Sequence, residues 1–174
     1  MPPKIINDEQ YEFWNEGIGK KWVQEDASMN ERFTILTDEF FSRTMINKDD
    51  SILDIGCGGG ITSYEASKLV GENGYVLGAD ISEILLDLAN KNYSSIKNLE
   101  FKYCDVQNYK FKKKIFNKVI SRFGVMFFEN PIEAFKNISN SIQDGGSLHF
   151  VCWTDVMENE FFTLSANIII KHLN

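Results

Sequence analysis

Before residue 50, apolar positions recur at the three- and four-residue intervals of an α-helix. Over about 27–45 this interval holds at Met29, Phe33, Leu36 and Phe40. One helix with an apolar face is therefore predicted there. A shorter helix is predicted to begin at Asn7, because Asn7 and Gln10 have the spacing of a capping box, and to end at Gly17 and Gly19.

After residue 50, short apolar runs alternate with helical stretches. Five runs are predicted to be strands, at 51–55, 75–79, 99–104, 118–121 and 147–153. Ser82 is placed to cap one intervening helix, Asn130 and Pro131 begin another, a turn is predicted at 144–146, and a last helix at 158–173. Strands that alternate with helices favour parallel pairing, so the sequence predicts a doubly wound, mostly parallel α/β sheet.

The size and charge of the chain narrow the class of protein. Its 174 residues suit a single domain, with an N-terminal helical flap over 1–50 and an α/β core over 51–174. The net charge of −7 argues against a nucleic-acid partner, which needs a basic surface. The chain has no apolar stretch of membrane-spanning length, no signal-peptide pattern, and three cysteines without metal-ligand spacing. A cytoplasmic protein without metal or membrane contact is expected.

The first strand ends in a glycine-rich turn over 54–60, which opens a helix. Glycines let a ligand approach the backbone, and a helix N-terminus offers free N–H groups. The dinucleotide fingerprint requires a third glycine at position 61, where Ile61 stands. Asp54, two positions before the first of three alternating glycines, favours a ligand that carries an ammonium group. The alternative is a tight turn without a ligand.

Two further carboxylates follow the second and third predicted strands. Asp80 can accept hydrogen bonds from both hydroxyls of a ribose, and Asp105 can accept one from an adenine amino group. Either could instead cap a helix or a turn. Parallel strands deliver their carboxyl ends to the same sheet edge, so a nucleoside-containing ligand is expected across that edge.

These segments resemble a known family. Residues 52–60, 78–82 and 104–106 resemble the cofactor motifs of class I S-adenosylmethionine-dependent methyltransferases. Segments 13–23, 121–128, 151–153 and 158–162 are similar to a bacterial subgroup that acts on small molecules. The resemblance covers about 9–165. It implies S-adenosylmethionine as cofactor and methyl transfer to a small-molecule acceptor.

The resemblance also implies roles for individual residues. It places the cofactor against Asp54, Gly56, Cys57, Gly58, Gly60, Asp80, Ile81, Cys104, Asp105, Val106, Ser121, Arg122 and Phe123. In this arrangement the glycine turn surrounds the methionine part, Asp80 holds the ribose, and Ile81 packs on the adenine. Arg122 and Phe123 border the place where sulfonium and acceptor meet. The acceptor is expected near Trp14, Trp22 and Phe123, although the two tryptophans could simply pack a flap onto the sheet.

No catalytic base is assigned, because His149 and His172 are expected to be structural and Cys57 to be an ordinary turn residue. Cys104 and Cys152 are expected in the core. The chain also lacks the proline-rich tetrapeptide of amino-methylating DNA enzymes after its fourth strand. Together with the negative charge, this absence favours a small acceptor.

The chain departs from the family pattern in two ways. Asn117 stands where the family has an acid before the fourth strand, and we expect little effect from that change. The family sheet also has seven strands, whereas only five are predicted here. The fifth strand would then be an exposed apolar edge, which favours a fragment of a longer enzyme or a homodimer that covers this edge. A non-catalytic cofactor-binding protein and an NAD-dependent oxidoreductase are the alternative functions.

Overall fold

A computed structural model describes the backbone of residues 5–173 and the side chains of all of these except 161, 165–167 and 173. The helices are α1 (Asp8–Glu12), α2 (Ile18–Arg32), α3 (Thr34–Thr44), α4 (Ile61–Val70), α5 (Glu83–Tyr93), α6 (Pro131–Ser141) and α7 (Glu160–Leu173). The strands are β1 (Ser51–Ile55), β2 (Tyr75–Asp80), β3 (Leu99–Tyr103), β4 (Phe116–Arg122) and β5 (Ile142–Val151). The five predicted strands are all present, with shifted ends.

The strands form one parallel sheet in the order β3-β2-β1-β4-β5. The chain proceeds outward from β1 to β3, and then returns to the other side of β1 to form β4. This reversal creates a crevice at the carboxyl ends of β1 and β4, where ligands bind in open α/β sheets. The predicted doubly wound α/β fold is confirmed.

Side chains of β1 alternate between two apolar layers, as a sheet covered on both faces requires. Leu53 joins a buried cluster with Val119 of β4 and Ile138 of α6. Ile52 faces the other way and joins a cluster with Val70 of α4 and Phe40 of α3. The sheet is therefore held between helices on both faces, and its carboxyl edge is left as the place for a site.

The N-terminal helices differ from the prediction in how they begin. Asn7 makes no cap hydrogen bond; its side-chain amide donates instead to the carbonyl of Phe127, at 2.7 Å. The helix does not end at Gly17, since a π-helical segment, Phe13–Gly17, connects α1 directly to α2. A methyl group at Gly19 would lie 1.8 Å from the carbonyl oxygen of Trp14, so glycine is required where this wide turn closes.

The long helix predicted over 27–45 is two helices. The chain bends at Phe33, whose φ of −96° and ψ of 8° lie outside the helical region and separate α2 from α3. The apolar stripe continues across the bend, which is why spacing alone does not reveal it. The bend brings the Phe33 ring against Phe123, at the end of β4.

The fifth strand begins earlier than predicted. Ile142 pairs with Phe116, and the next paired residue, Ser147, stands opposite Lys118. The predicted turn at 144–146 is therefore an irregularity within β5, where the extra residues are accommodated opposite Asn117. Cys152 follows the end of the strand and is exposed, so the prediction that it lies in the core is wrong.

Asn117 has a more definite role than predicted. It lies inside β4, and its side-chain oxygen accepts a hydrogen bond of 2.7 Å from the backbone N–H of Ser51. That bond ties the first residue of β1 to β4. Within residues 5–173, no helix has the length and hydropathy needed to cross a bilayer.

Candidate functional site

A cavity of about 330 Å³ lies at the carboxyl edge of the sheet, beneath the N-terminal helices. This volume is within the range of small-molecule sites. Of the predicted cofactor residues, those that line the cavity are Gly56, Cys57, Gly58, Asp80, Ile81, Cys104, Asp105, Val106, Arg122 and Phe123. Trp14 and Trp22 line it as well. The structure thus brings together residues that are more than 100 positions apart in the sequence.

Three predicted cofactor residues do not line the cavity: Asp54, Gly60 and Ser121. A methyl group at Gly60 would lie 2.7 Å from the Phe101 ring, so this glycine serves close packing behind the turn. The hydroxyl of Ser121 donates to the carbonyl of Ile55 at 2.8 Å. Both residues therefore shape the loops after β1 and β4.

Asp54 lies behind the glycine turn and is fully buried. Its Oδ2 atom accepts hydrogen bonds from the hydroxyls of Thr62 and Ser63, at 2.6 and 2.7 Å, in the first turn of α4. Its Oδ1 atom is buried without a hydrogen-bond partner among the described residues. The carboxylate therefore fastens β1 to α4, and the structure does not bring it into the cavity where an ammonium group was predicted to meet it.

We expect Asp54→Asn to change how stability depends on pH. Burial raises the pKa of Asp54 from 3.8 to about 6, and the hydroxyls of Thr62 and Ser63 oppose this rise. Between these two pH values the unfolded chain loses the proton while the folded chain keeps it. The free energy of unfolding therefore falls as pH rises through this window, by on the order of 3 kcal/mol, and this contribution stays constant above pH 6.

Urea unfolding of both proteins between pH 4 and 7 tests this expectation. Asparagine does not titrate, so the stability of the wild type relative to the variant should fall from pH 4 to 6 and then level off. Parallel stability curves over the whole range would show that folding does not raise the pKa of Asp54.

Asp80 presents a carboxylate at the cavity wall. Its Oδ2 atom accepts a hydrogen bond from the backbone N–H of Gly58 at 2.7 Å, and its Oδ1 atom accepts one from Ser82 at 2.8 Å. Burial raises the pKa of Asp80, and these backbone N–H groups oppose the rise. Asp80 thus joins the end of β2 to the glycine turn. Carboxylate oxygens have further lone pairs, so the group can still accept from a ligand.

The Asp105 carboxylate already accepts several hydrogen bonds from groups of the protein. It accepts hydrogen bonds from the backbone N–H groups of Ile6 and Asn7, at 3.1 and 3.3 Å. Gln107 donates to it through both its backbone and its side-chain amide. Four donors match the approximate acceptor capacity of a carboxylate. The predicted contact with an adenine amino group would therefore have to replace one of these bonds.

Arg122 connects the end of β4 to the N-terminal helices. Its guanidinium donates to the hydroxyl of Thr37 at 2.8 Å and to the side-chain oxygen of Asn30 at 2.9 Å. Its charged centre lies 5.9 Å from the Phe33 ring. Burial lowers the pKa of Arg122, while the nearby carboxylates Asp54 and Asp26 oppose this change. Through these hydrogen bonds, Arg122 holds the N-terminal helices, which cover the cavity, against the end of β4.

Phe123 has a φ of 68°, a conformation that bulky side chains seldom adopt. Its ring stacks on Trp153 with centroids 4.7 Å apart and planes 7° apart. Phe33 and Phe162 complete this aromatic cluster. Uncommon backbone conformations of this kind concentrate at functional sites, and here the strained residue presents its ring to the cavity.

Trp14 and Trp22 belong to a different group of rings. Their centroids lie 5.9 Å apart, and Trp14 also meets Phe127 at 5.4 Å. The carbonyl of Trp14 accepts a hydrogen bond from the hydroxyl of Ser82, so this group stands over the end of β2. The two tryptophans and Phe123, predicted together as acceptor residues, thus lie in separate clusters of the cavity wall.

The thiols in the cavity wall are poor nucleophiles. Burial raises the pKa of Cys104 to about 12, and it raises that of Cys57 well above its ordinary value. Neither His149 nor His172 lines the cavity. Among the described residues, no three His, Cys, Asp or Glu side chains form a group that could hold a metal ion. The cavity therefore offers positioning and polarity, with no activated nucleophile of its own.

Sequence reasoning missed the cavity residues contributed by α2 and the bend that follows it. Asp26, Asn30 and Phe33 line the cavity. Their spacing of four and three residues places them on one helical face, and this signal was available in the sequence. The apolar residues Met29 and Phe33 on the same face instead favour packing against a core. The polar residues beside them are what distinguishes a cavity wall from a core.

The profile of a family described as "Methyltransferase domain" matches residues 46–166. The chain belongs to this family, and the resemblance to class I S-adenosylmethionine-dependent methyltransferases is confirmed, with S-adenosylmethionine as the family cofactor. A solved S-adenosylmethionine-dependent methyltransferase from Aquifex aeolicus has the same fold, with a TM-score of 0.64 and 18% identity. The match covers 68% of this chain and 64% of that one.

Two relatives by sequence are protein 235L of Invertebrate iridescent virus 6 and a methyltransferase of Wigglesworthia glossinidia brevipalpis. The first is 31% identical, over 86% of this chain and 54% of its own length. The second, the ubiquinone/menaquinone biosynthesis C-methyltransferase UbiE, is 31% identical over 59% of this chain and 42% of its own length. The chain thus spans about half the length of these relatives. One of them is viral, so the narrower bacterial subgroup stays a prediction.

Proposed function

We propose that this chain binds S-adenosylmethionine in the cavity at the carboxyl edge of the sheet and transfers its methyl group to a small, planar acceptor. The observation that carries the proposal is a single cavity lined by the glycine turn, by Asp80 and by the stacked rings of Phe123 and Trp153. These features correspond to the two ligands that a methyl transfer must bring together.

The residues present fit the cofactor. Asp80 offers a carboxylate to hydroxyl donors, and the apolar residues Ile81 and Val106 line the same cavity, where they can contact an adenine. Gly58 lines the cavity, and a methyl group added there would meet no atom within 4 Å, which leaves room for a ligand. When bound, S-adenosylmethionine supplies a methyl group already activated on sulfur. The protein has to position two ligands and exclude water.

The acceptor is assigned to the cluster of Phe33, Phe123 and Trp153. Aromatic rings bind other planar rings through stacking and edge contacts. Arg122 lies next to this cluster and can favour an acceptor that carries a partial negative charge, such as a phenolic oxygen or an electron-rich ring carbon. The relative from Wigglesworthia is named for ubiquinone and menaquinone biosynthesis, which agrees with an aromatic acceptor. The net charge of −7 disfavours a nucleic-acid acceptor.

Radiolabelled methyl transfer to a panel of hydroxylated aromatic compounds and aliphatic amines tests the proposal. We expect transfer to members of the aromatic group. Trp153→Leu should raise the KM for that acceptor and leave the affinity for S-adenosylhomocysteine unchanged, whereas Trp22→Leu should leave the acceptor KM unchanged. A raised acceptor KM in the Trp22 variant alone would move the acceptor to the tryptophan cluster. Cofactor binding without transfer to any compound would favour the non-catalytic alternative.

A further inference from the structure

We propose that Asp26 of α2 receives the ammonium group of the methionine part of the cofactor. The sequence favours Asp54 for this role, but Asp54 is buried behind the glycine turn and does not line the cavity. This inference rests on the proposed function, because it concerns the same ligand in the same cavity. It makes the N-terminal helices part of the cofactor site as well as its cover.

The Asp26 carboxylate lies close to Gly59 of the glycine turn. A methyl group added at Gly59 would lie 2.5 Å from the Oδ1 atom of Asp26, which is well inside van der Waals contact. A larger residue at position 59 would push this carboxylate away from the turn. Asp26 and Gly59 both line the cavity, so the carboxylate stands at the place where the methionine part was predicted.

The other cavity carboxylates are less suited to an ammonium group. Asp105 already accepts from four donors, and Asp80 stands at the end of β2, where a ribose is expected. Asp54 does not line the cavity. Within the described part of the chain, Asp26 makes no salt bridge within 4 Å. It is thus a carboxylate at the cavity with acceptor capacity to spare.

The neighbours of Asp26 complement an amino-acid zwitterion. Asn30, four residues after Asp26 on α2, accepts a hydrogen bond from Arg122, and all three residues line the cavity. Burial raises the pKa of Asp26, while Asn30 and Arg122 oppose the rise. An ammonium group placed against Asp26 would compensate for this loss of hydration, because a charge-assisted hydrogen bond favours the ionised form.

Calorimetric titration of Asp26→Asn with two ligands tests the assignment. S-Adenosylhomocysteine carries the amino-acid group, and 5′-methylthioadenosine lacks it. We expect the variant to bind S-adenosylhomocysteine about tenfold or more weakly, which is the scale of one charge-assisted hydrogen bond. The affinity for 5′-methylthioadenosine should change by less than about twofold. Glu31→Gln, which removes the same charge from an exposed position of α2, should leave both affinities unchanged.

Each other outcome would overturn the assignment. Unchanged affinity for S-adenosylhomocysteine would show that Asp26 does not meet the ammonium group, and equal losses for both ligands would indicate a general disturbance of the cavity. Thermal unfolding of Asp26→Asn, and the smaller Asp26→Ser as a second variant, separate binding from folding. If the wild-type protein bound neither ligand, the proposed function itself would fail. Normal wild-type binding with an unaffected variant would reject only the role of Asp26.

Discussion

Replacing Asp80 by alanine is expected to weaken the binding of S-adenosylhomocysteine by about 100-fold or more. The carboxylate stands at the cavity wall at the end of β2, and it also accepts the N–H groups of Gly58 and Ser82. Two hydrogen bonds from ribose hydroxyls to an ionised carboxylate are each worth roughly 1.5–3 kcal/mol, so the loss of both exceeds two orders of magnitude in affinity. Losing the link to Gly58 would also loosen the turn.

Titration calorimetry measures this effect, and Asp87→Ala supplies the control. Asp87 is an exposed residue of α5 that does not line the cavity, so its removal changes the net charge equally without touching the site. The control variant should bind like the wild type. If Asp80→Ala retained wild-type affinity while remaining folded, the ribose assignment would be wrong.

Gly56→Ala is expected to produce the largest loss of stability, about 3 kcal/mol. Gly56 has a φ of 67°, and a methyl group there would lie 2.6 Å from the Cα atom of Gly124. The left-handed conformation costs an alanine roughly 1–2 kcal/mol, and the clash with backbone adds roughly 1–3 kcal/mol because backbone cannot rotate away. The loops after β1 and β4 meet at these two glycines, so any separation would widen the floor of the cavity.

Gly145→Ala distinguishes these two contributions. Gly145 has a φ of 83°, but no atom lies within 4 Å of an added methyl group. It should lose only the conformational part, about 1 kcal/mol. In thermal unfolding, a loss of 3 kcal/mol corresponds to roughly 10 °C for a domain of this size. Equal losses for the two variants would mean that the loops do not meet closely at Gly56.

The fold was largely predictable because its signals are local. Five apolar runs separated by helical stretches predict a parallel sheet, and Ser82 and Asn130 cap their helices as expected, accepting from Leu85 and Glu133. The strand ends were less accurate, because β5 continues through an irregularity that resembles a turn in sequence. Such an irregularity depends on the partner strand, which local spacing does not contain.

Predictions that depended on side-chain direction were less successful. Asp54 was expected beside the ligand because it precedes the glycines, yet its carboxylate is buried against the hydroxyls of α4. Asn7 was expected to cap a helix, but its amide reaches Phe127, which is 120 positions away. In both cases a tertiary partner competes with the local one. Sequence spacing identifies the edge of the sheet where chemistry occurs, and packing decides which carboxylate faces the cavity.

The two sides of the glycine turn have different roles. Its glycines admit a ligand on one side and, on the other, allow the close approach of Phe101 to Gly60. Asp26 and Arg122 connect this turn and the end of β4 to the N-terminal helices. Binding of the methionine part would therefore involve the sheet and its helical cover together.

A crystal structure of the protein with S-adenosylhomocysteine tests the central claim most directly. We predict that the ligand occupies the cavity at the carboxyl edge of the sheet, with its ribose hydroxyls within hydrogen-bonding distance, about 3 Å, of the Asp80 carboxylate. The sulfur should point towards Phe123 and Trp153. An empty cavity at saturating ligand, or a ligand bound elsewhere on the protein, would contradict the account.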